Sequence, residues 1–380
     1  MSEPAQLHES SGAARPPSRL EKFFQAMEKM EASDLHIKPG VPPHMRVNTV
    51  IRPTTSPAMT AEETASLAWE LMSEKQRAFF AEVGSVDLAY ELPGADRFRI
   101  NLFRQRGAVS IAVRRVTRGI PNFDALHLPD GVRPIAAETQ GLILVSGATG
   151  SGKSTTIAAM LEHINQTRSC HIVTIEDPIE YLYEDKKALV NQREVGIDIP
   201  GFESALKYLM REDPDVVLIG EMRDRETFQA ALQASETGHM VFGTVHASTA
   251  SQTVSRVLDL FEAESRDLVR QSLSHNLRAI LCQKLLPCLD AEIARIPAVE
   301  VLRTNPSVRQ LIAEARETEL IEVIRSCEQE GMQTFTSSLL KLIETDMVDP
   351  KVAYEVAPNA DELKMLLKGI SASRSGLMGR

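Results

Sequence analysis

Residues 141–155 read GLILVSGATGSGKST, an uncharged apolar run that passes through closely spaced glycines into the helix-compatible TTIAAMLEHI of residues 155–164. The segment Gly147-Ala148-Thr149-Gly150-Ser151-Gly152-Lys153-Ser154 satisfies GxxxxGK[ST], and Thr155 follows it. Glycines let the backbone curl around an anion, and successive amides at the start of the next helix then point at phosphate oxygens. Lys153 can reach the β and γ oxygens of a nucleotide, and Ser154 can place its hydroxyl on Mg²⁺. This is a strand, a phosphate loop and a helix in the order that an α/β sheet requires.

More apolar segments of the buried-strand type follow at HIVTIEDP (171–178), DVVLIGE (215–221) and MVFGTVH (240–246), separated by helix-compatible stretches. The alternation predicts a mostly parallel α/β sheet. Ligands in such sheets sit beyond the carboxyl ends of the strands. Glu176, Asp177 and Glu180 are expected there, ordering metal-bound water, unless Asp177-Pro178 serves only as a turn. Glu221 follows a short apolar strand, with Gly220 removing bulk beside it. Its carboxylate either orders water against a γ-phosphoryl group or pairs with Arg223 or Arg225. His239 and His246 bracket the last strand and can bond a γ-phosphate, convey nucleotide state or satisfy a strand-end polar group. No third ligand stands at a zinc spacing beside them.

The chain has 380 residues, with 42 basic and 52 acidic side chains and a formal charge of -10. That balance excludes a global polybasic coat for nucleic acid or anionic lipid. Cys170, Cys282, Cys288 and Cys327 form neither a CxxC pair nor a disulfide framework. No apolar stretch reaches transmembrane length, so a cytoplasmic protein is expected.

Residues 1–19 read as a disordered leader. The N-terminal part combines a helix at Leu20, Phe23, Phe24, Met27 and Met30, short strands at ASDLHI and HMRVNTVIR, and one long helix from Ala61 to Glu82. In RFRINLF, Phe98, Ile100 and Leu102 share one face, and Arg97, Arg99 and Asn101 the other. From Arg97 to Arg118 there are seven arginines and no acid, a local field that must face something negative. Ile120 to Glu138 reads as a linker. After His246 the pattern reads as helical to the end. Val269, Leu273, Leu277, Ile280 and Leu281 would form one helix face, stopped at Pro287.

ASDLH, RFRINLF, GATGSGKST, TIEDPIEY, LVNQREVG, REDPDVVLIGEMRD, TGHMVFGTVHAS and GMQTF together resemble the retraction ATPases of type IV pili, within the secretion ATPase superfamily. The resemblance runs from about Ala32 to about Leu367. It implies an α/β fold with an N-terminal PAS-like α+β domain (20–118), a linker (119–138), a RecA-like P-loop NTPase core (139–288), a C-terminal helical region (289–370) and a flexible tail (371–380). It also implies a hexameric ring that uses ATP and Mg²⁺ to drive pilus retraction and twitching motility. Its partners would be further copies of itself, an inner-membrane pilus platform protein and a paralogous retraction ATPase, with no nucleic acid and only indirect contact with the membrane.

By motif, Gly147 to Thr155 are carried over as the phosphate loop, with Lys153 catalytic and Ser154 on Mg²⁺. Glu176, Asp177 and Glu180 form an acidic box, Glu221 is the catalytic glutamate, and His239 and His246 form a histidine box. Arg99, Arg104 and Arg114 are the arginines expected to face phosphate. The chain departs from the family pattern at Gln140, where a basic residue beside the nucleotide entrance is expected, at Ala148 in the loop, and at Ala313 in the segment Ser307–Arg316. A pilus-assembly or type II secretion ATPase is the alternative, although no tetracysteine insertion is present. An ATP-binding accessory subunit with little turnover is another.

Overall fold

The computed structural model describes residues 18–47, 50–91, 96–116 and 118–368, which form two compact units divided after Thr117. In the first unit, Ser18 and Glu21 form a reciprocal capping box that starts the helix Arg19–Lys29, whose buried side is Leu20, Phe23, Phe24 and Met27. The unit's sheet contains β1 (Asp34–Ile37), β2 (His44–Val47), β3 (Val50–Pro53), β4 (Ser85–Glu91), β5 (Arg97–Gln105) and β6 (Ala108–Val116). They run in the order β3-β2-β1-β6-β5-β4, antiparallel throughout. Phe98, Ile100 and Leu102 are buried against this unit's core, as the alternation predicts.

The single helix expected from Ala61 is two helices, Ala61–Leu71 and Glu74–Val83. Met72 adopts an extended backbone, and Ser73 begins a fresh capping box with Gln76. A good N-cap restarts a helix where periodicity alone reads through.

The second unit is built on β7 (Gly141–Ser146), β8 (His171–Glu176), β9 (Leu189–Glu194), β10 (Val216–Ile219), β11 (Met240–Val245), β12 (Leu277–Pro287) and β13 (Arg295–Arg303), in the order β13-β12-β7-β11-β10-β8-β9. All neighbours are parallel except β12 and β13. β7, β10 and β11 are buried at every position because apolar clusters cover both sheet faces. Residues Phe123, Val132, Ile135 and Ala136, within the stretch read as a linker, are buried in one of those clusters.

The reading of everything after His246 as helical is wrong at two places, the strands β12 and β13, the second of which falls inside the region 289–370 expected to be helical. The helix Arg266–Asn276 ends ten residues before Leu286, and Leu277–Pro287 is a strand hydrogen-bonded between β7 and β13. A short run of apolar residues satisfies a helix face and a doubly buried strand equally well. β9 went unread for the opposite reason, since this edge strand alternates with exposed Leu189 and Asn191 and lacks an apolar run. Helices dominate after β13, at Pro306–Ala313, Leu320–Ser326, Phe335–Glu344, Pro350–Val356 and Ala360–Leu367. Among the described residues no helix is long and apolar enough to cross a membrane.

Candidate functional site

β7 delivers the chain into the phosphate loop at the carboxyl edge of the parallel sheet. Gly147, Gly150 and Gly152 have φ of 150°, 78° and 91°, backbone that other residues adopt only under strain. A Cβ at Gly147 would also lie 2.4 Å from Ser151 Oγ and 2.6 Å from the Gln283 carbonyl. Ala148 and Thr149 complete the turn. The helix Lys153–Thr167 starts without a side-chain cap, so its first-turn amides remain available to an anion. Ser151 Oγ is buried without a hydrogen-bond partner, and Lys153 Nζ donates to the carbonyls of Gly147 (2.9 Å) and Ala148 (3.1 Å). Burial lowers the Lys153 pKa, opposed by the attraction of Glu221. These groups form a concave donor set suited to phosphate. Ser154 is exposed, and Thr155 Oγ1 meets the Tyr181 hydroxyl at 2.9 Å.

Beside β7 the sheet places β11, then β10, then β8, so the residues following each strand share one edge. Glu221, just past β10, is bonded by His246 Nε2 at 2.9 Å and pairs with Arg223. Burial raises its pKa, but the hydrogen bond and charge of Arg223, together with the His246 contact, outweigh burial and hold it below the usual carboxylate value. Of the two arginines read as alternative partners, Arg223 is engaged, whereas Arg225 reaches Glu262 at 3.5 Å. Met222 packs where a Cβ on Gly243 would stand 2.2 Å from its Cε, so Gly243 on β11 makes room for the segment after Glu221. Asp177 and Glu180 are exposed at the same edge.

Glu176 differs from its acidic neighbours. Its side chain is 8% exposed and accepts from Thr174 Oγ1 at 2.7 Å and Gln192 Nε2 at 3.2 Å. Burial lifts its carboxyl to about 7. Gln192 also donates to the Tyr181 carbonyl (2.8 Å) and accepts from the Tyr183 amide (3.0 Å), tying the acidic loop to the edge strand. Glu176 is therefore an anchor of that loop, turned away from solvent, rather than a group presented to metal-bound water.

Two other expectations fail on strand geometry. His239 precedes β11 and His246 follows it, so a strand's length of ~20 Å separates them. His239 instead packs at the amino edge, where its Nδ1 lies 3.0 Å from the Ala234 carbonyl. It does not join the phosphate loop of its own chain. Gln140 likewise precedes β7 and stands at that same far edge, not beside a nucleotide entrance.

The arginines of the first unit divide in two. Arg99 and Arg114 face each other across β5 and β6, and Asp34 continues the row on β1. Asp34 pairs with Arg114 at 3.0 Å and Arg46 at 3.2 Å. Its burial raises the carboxyl, but hydrogen bonds from Ser33 and Arg114 and the two arginine charges lower it overall. Arg104 has the opposite parity on β5 and lies over the Phe80 ring, 5.5 Å from its centroid. The expected trio is a pair and an outlier because side chains alternate across a strand.

A family model described as type II/IV secretion system protein matches residues 14–368. The chain belongs to this family. Within it, the chain is 40% identical to the type IV pilus retraction ATPase PilT of Pseudomonas aeruginosa, over 87% of this chain and 95% of that protein. It is 38% identical to the type IV pilus ATPase PilU of the same organism, over 92% and 91% of the two chains. A crystal structure of the pilus retraction motor PilT with bound ADP superposes with a TM-score of 0.84 at 44% identity, covering 92% of this chain and 99% of that one. The secretion-family fold, an α/β RecA-like ATPase core with an N-terminal α+β part and C-terminal helices, is thus the fold of this chain.

Proposed function

We propose that this chain hydrolyses ATP and, as a subunit of a hexameric cytoplasmic ring, drives retraction of type IV pili. The observation that carries the reading is the shared sheet edge of the phosphate loop and the Glu221–His246 pair, in a chain related to PilT along most of its length. The loop amides and Lys153 bind the triphosphate and offset its charge as the terminal phosphoryl group departs. Glu221, kept ionised by Arg223 and His246, orients the attacking water, and His246 fixes the carboxylate's direction. Arg99 and Arg114 are the proposed phosphate-facing arginines, while Arg104 supports its own sheet.

The Ser154 hydroxyl would hold Mg²⁺, which when bound would supply positive charge that offsets that of the phosphates. The donor chemistry fits it. Ser154 offers a hydroxyl and Asp177 and Glu180 offer exposed carboxylates for bound water, while no cluster of three or more His, Cys, Asp or Glu among the described residues forms a closed cage. A cation that keeps several waters and takes phosphate oxygens is served by such a site.

Hydrolysis moves a partner only when ATP and ADP favour different arrangements of the ring. The proposed partner is a pilus platform protein at the inner membrane, through which the ring meets the membrane. Deleting the gene and scoring pilus-dependent surface motility tests the reading. Immobile cells with abundant surface pili are expected, and bald cells would reassign the chain to pilus assembly.

A further inference from the structure

Glu300 lies in the middle of β13, opposite Cys282 on β12, and is 2% exposed. Its carboxylate accepts the backbone N–H of Ala250 at 2.8 Å and that of Phe335. Ala250 opens the helix Ala250–Asp259 and Phe335 opens the helix Phe335–Glu344. One buried acceptor therefore serves the first turns of two helices that are remote in sequence. First-turn amides have no partner inside their own helix, and both helix dipoles favour negative charge at this point. Burial raises the Glu300 pKa, and the two amides and Lys284 oppose that rise.

On one side of Glu300 is the loop that carries His246. Ser146, the last residue of β7, holds Ala247 by both its amide (3.0 Å) and its carbonyl (2.9 Å). The Ser248 amide donates to Gln252, and Thr249 caps the helix that Ala250 begins. Each residue between His246 and Ala250 is thus tied, and Glu300 supplies the tie to β13.

On the other side is GMQTF, residues 331–335, a motif that the hydrolytic site does not use. Gly331 has φ of 83° and is packed so closely that a Cβ on Gly131 would meet its carbonyl oxygen at 2.3 Å. Gln333 straddles Glu300, donating from Nε2 to the Val299 carbonyl (2.8 Å) and exchanging two backbone hydrogen bonds with Val301. Thr334 caps the helix, and the Phe335 ring lies 4.8 Å from Lys284 Nζ. The motif fixes the start of this helix against the strand that holds Glu300.

We propose that Glu300 is a positioning residue for His246 and the joint through which the catalytic edge is coupled to the C-terminal helices. The proposal rests on the reading of His246 as a participant in hydrolysis. Because one carboxylate holds both amides, a shift of the His246 loop alters the hold on residues 331–335, and the reverse.

Glu300→Gln tests it, since the amide keeps one acceptor oxygen and turns an N–H toward the second donor. The variant should stay folded by circular dichroism and bind an ATP analogue within about twofold of the parent, while kcat falls about tenfold, the scale of one unsatisfied buried donor. Hydrogen exchange should quicken at residues 247–251 and at 334–338 together. Unchanged kcat and exchange in the folded variant, or exchange altered at only one helix start, would overturn the proposal. Should the variant not fold, the parent protein gives a second test. Adding a non-hydrolysable ATP analogue should change protection at both helix starts, and a change confined to 247–251 contradicts the coupling. If the parent hydrolyses no ATP, the functional reading fails, while the exchange measurements still judge the joint.

Discussion

In the parallel sheet, Leu218 and Ile219 are chain neighbours that point into different apolar clusters, one on each face. In the antiparallel sheet of the N-terminal unit, Ile100 enters a core while its neighbour Asn101 bonds Ser85 and Asp87 on the polar face. A sheet covered on both faces has only its strand ends to offer for chemistry. One covered on a single face can carry a polar row across its width, here Arg99, Arg114 and the buried Asp34 that pairs with Arg114. Function in the two units should accordingly respond to different kinds of substitution.

The largest effect is expected at a strand end of the parallel sheet. Lys153→Ala should reduce steady-state phosphate release on the order of 1,000-fold, because it removes a preorganised charge from the transferring group. Residual turnover above a tenth of the parent rate would place the chemistry elsewhere.

Stability separates the sheets next. Leu218→Ala and Ile219→Ala should each cost about 2–5 kcal/mol in denaturant unfolding, as should Ile100→Ala, whereas Asn101→Ala should cost under about 1 kcal/mol. Similar losses at Ile100 and Asn101 would erase the distinction between dry and wet faces.

Glu176 sharpens the contrast from within the buried sheet. Its carboxyl titrates at about 7 in the folded chain against an ordinary 4.5, so the folded state holds an extra proton between those values. Stability is then fully present below about pH 4.5 and declines as pH rises through 7, by about 3 kcal/mol in all. Melting temperatures of Glu176→Gln across pH 5 to 8 should lack that part of the decline. A variant with the same pH slope as the parent would show that the carboxyl ionises freely.

The smallest effect is assigned to Arg104. Stacked on Phe80, it should contribute about 0.5–1 kcal/mol to its own unit when replaced by alanine, with little change in turnover. A large loss of turnover in a folded Arg104→Ala protein would return it to the group proposed to face phosphate, with Arg99 and Arg114.

The sequence made the phosphate loop, Glu221 and His246 readable because each lies within a few residues of an apolar strand, and strand-to-loop order is a local property. His239 and Gln140 were misplaced because the motif lies on one line of text while a strand puts its two ends on opposite edges. Leu277 to Pro287 was misread because burial on both faces removes the period that distinguishes strand from helix. Glu176 looked like its exposed neighbours until Thr174 and Gln192 showed which way it turns. Glu300 had no signal at all, since its partners Ala250 and Phe335 come from distant parts of the chain and contribute only backbone amides.

The most direct measurement is phosphate release by the purified protein beside its Glu221→Gln variant, with ATP affinity measured in parallel. Turnover in the parent, a loss of about 100-fold or more in the variant and ATP binding within about threefold are the predicted results. Equal rates for the two proteins would contradict the assignment of hydrolysis to the edge shared by the phosphate loop and the Glu221–His246 pair.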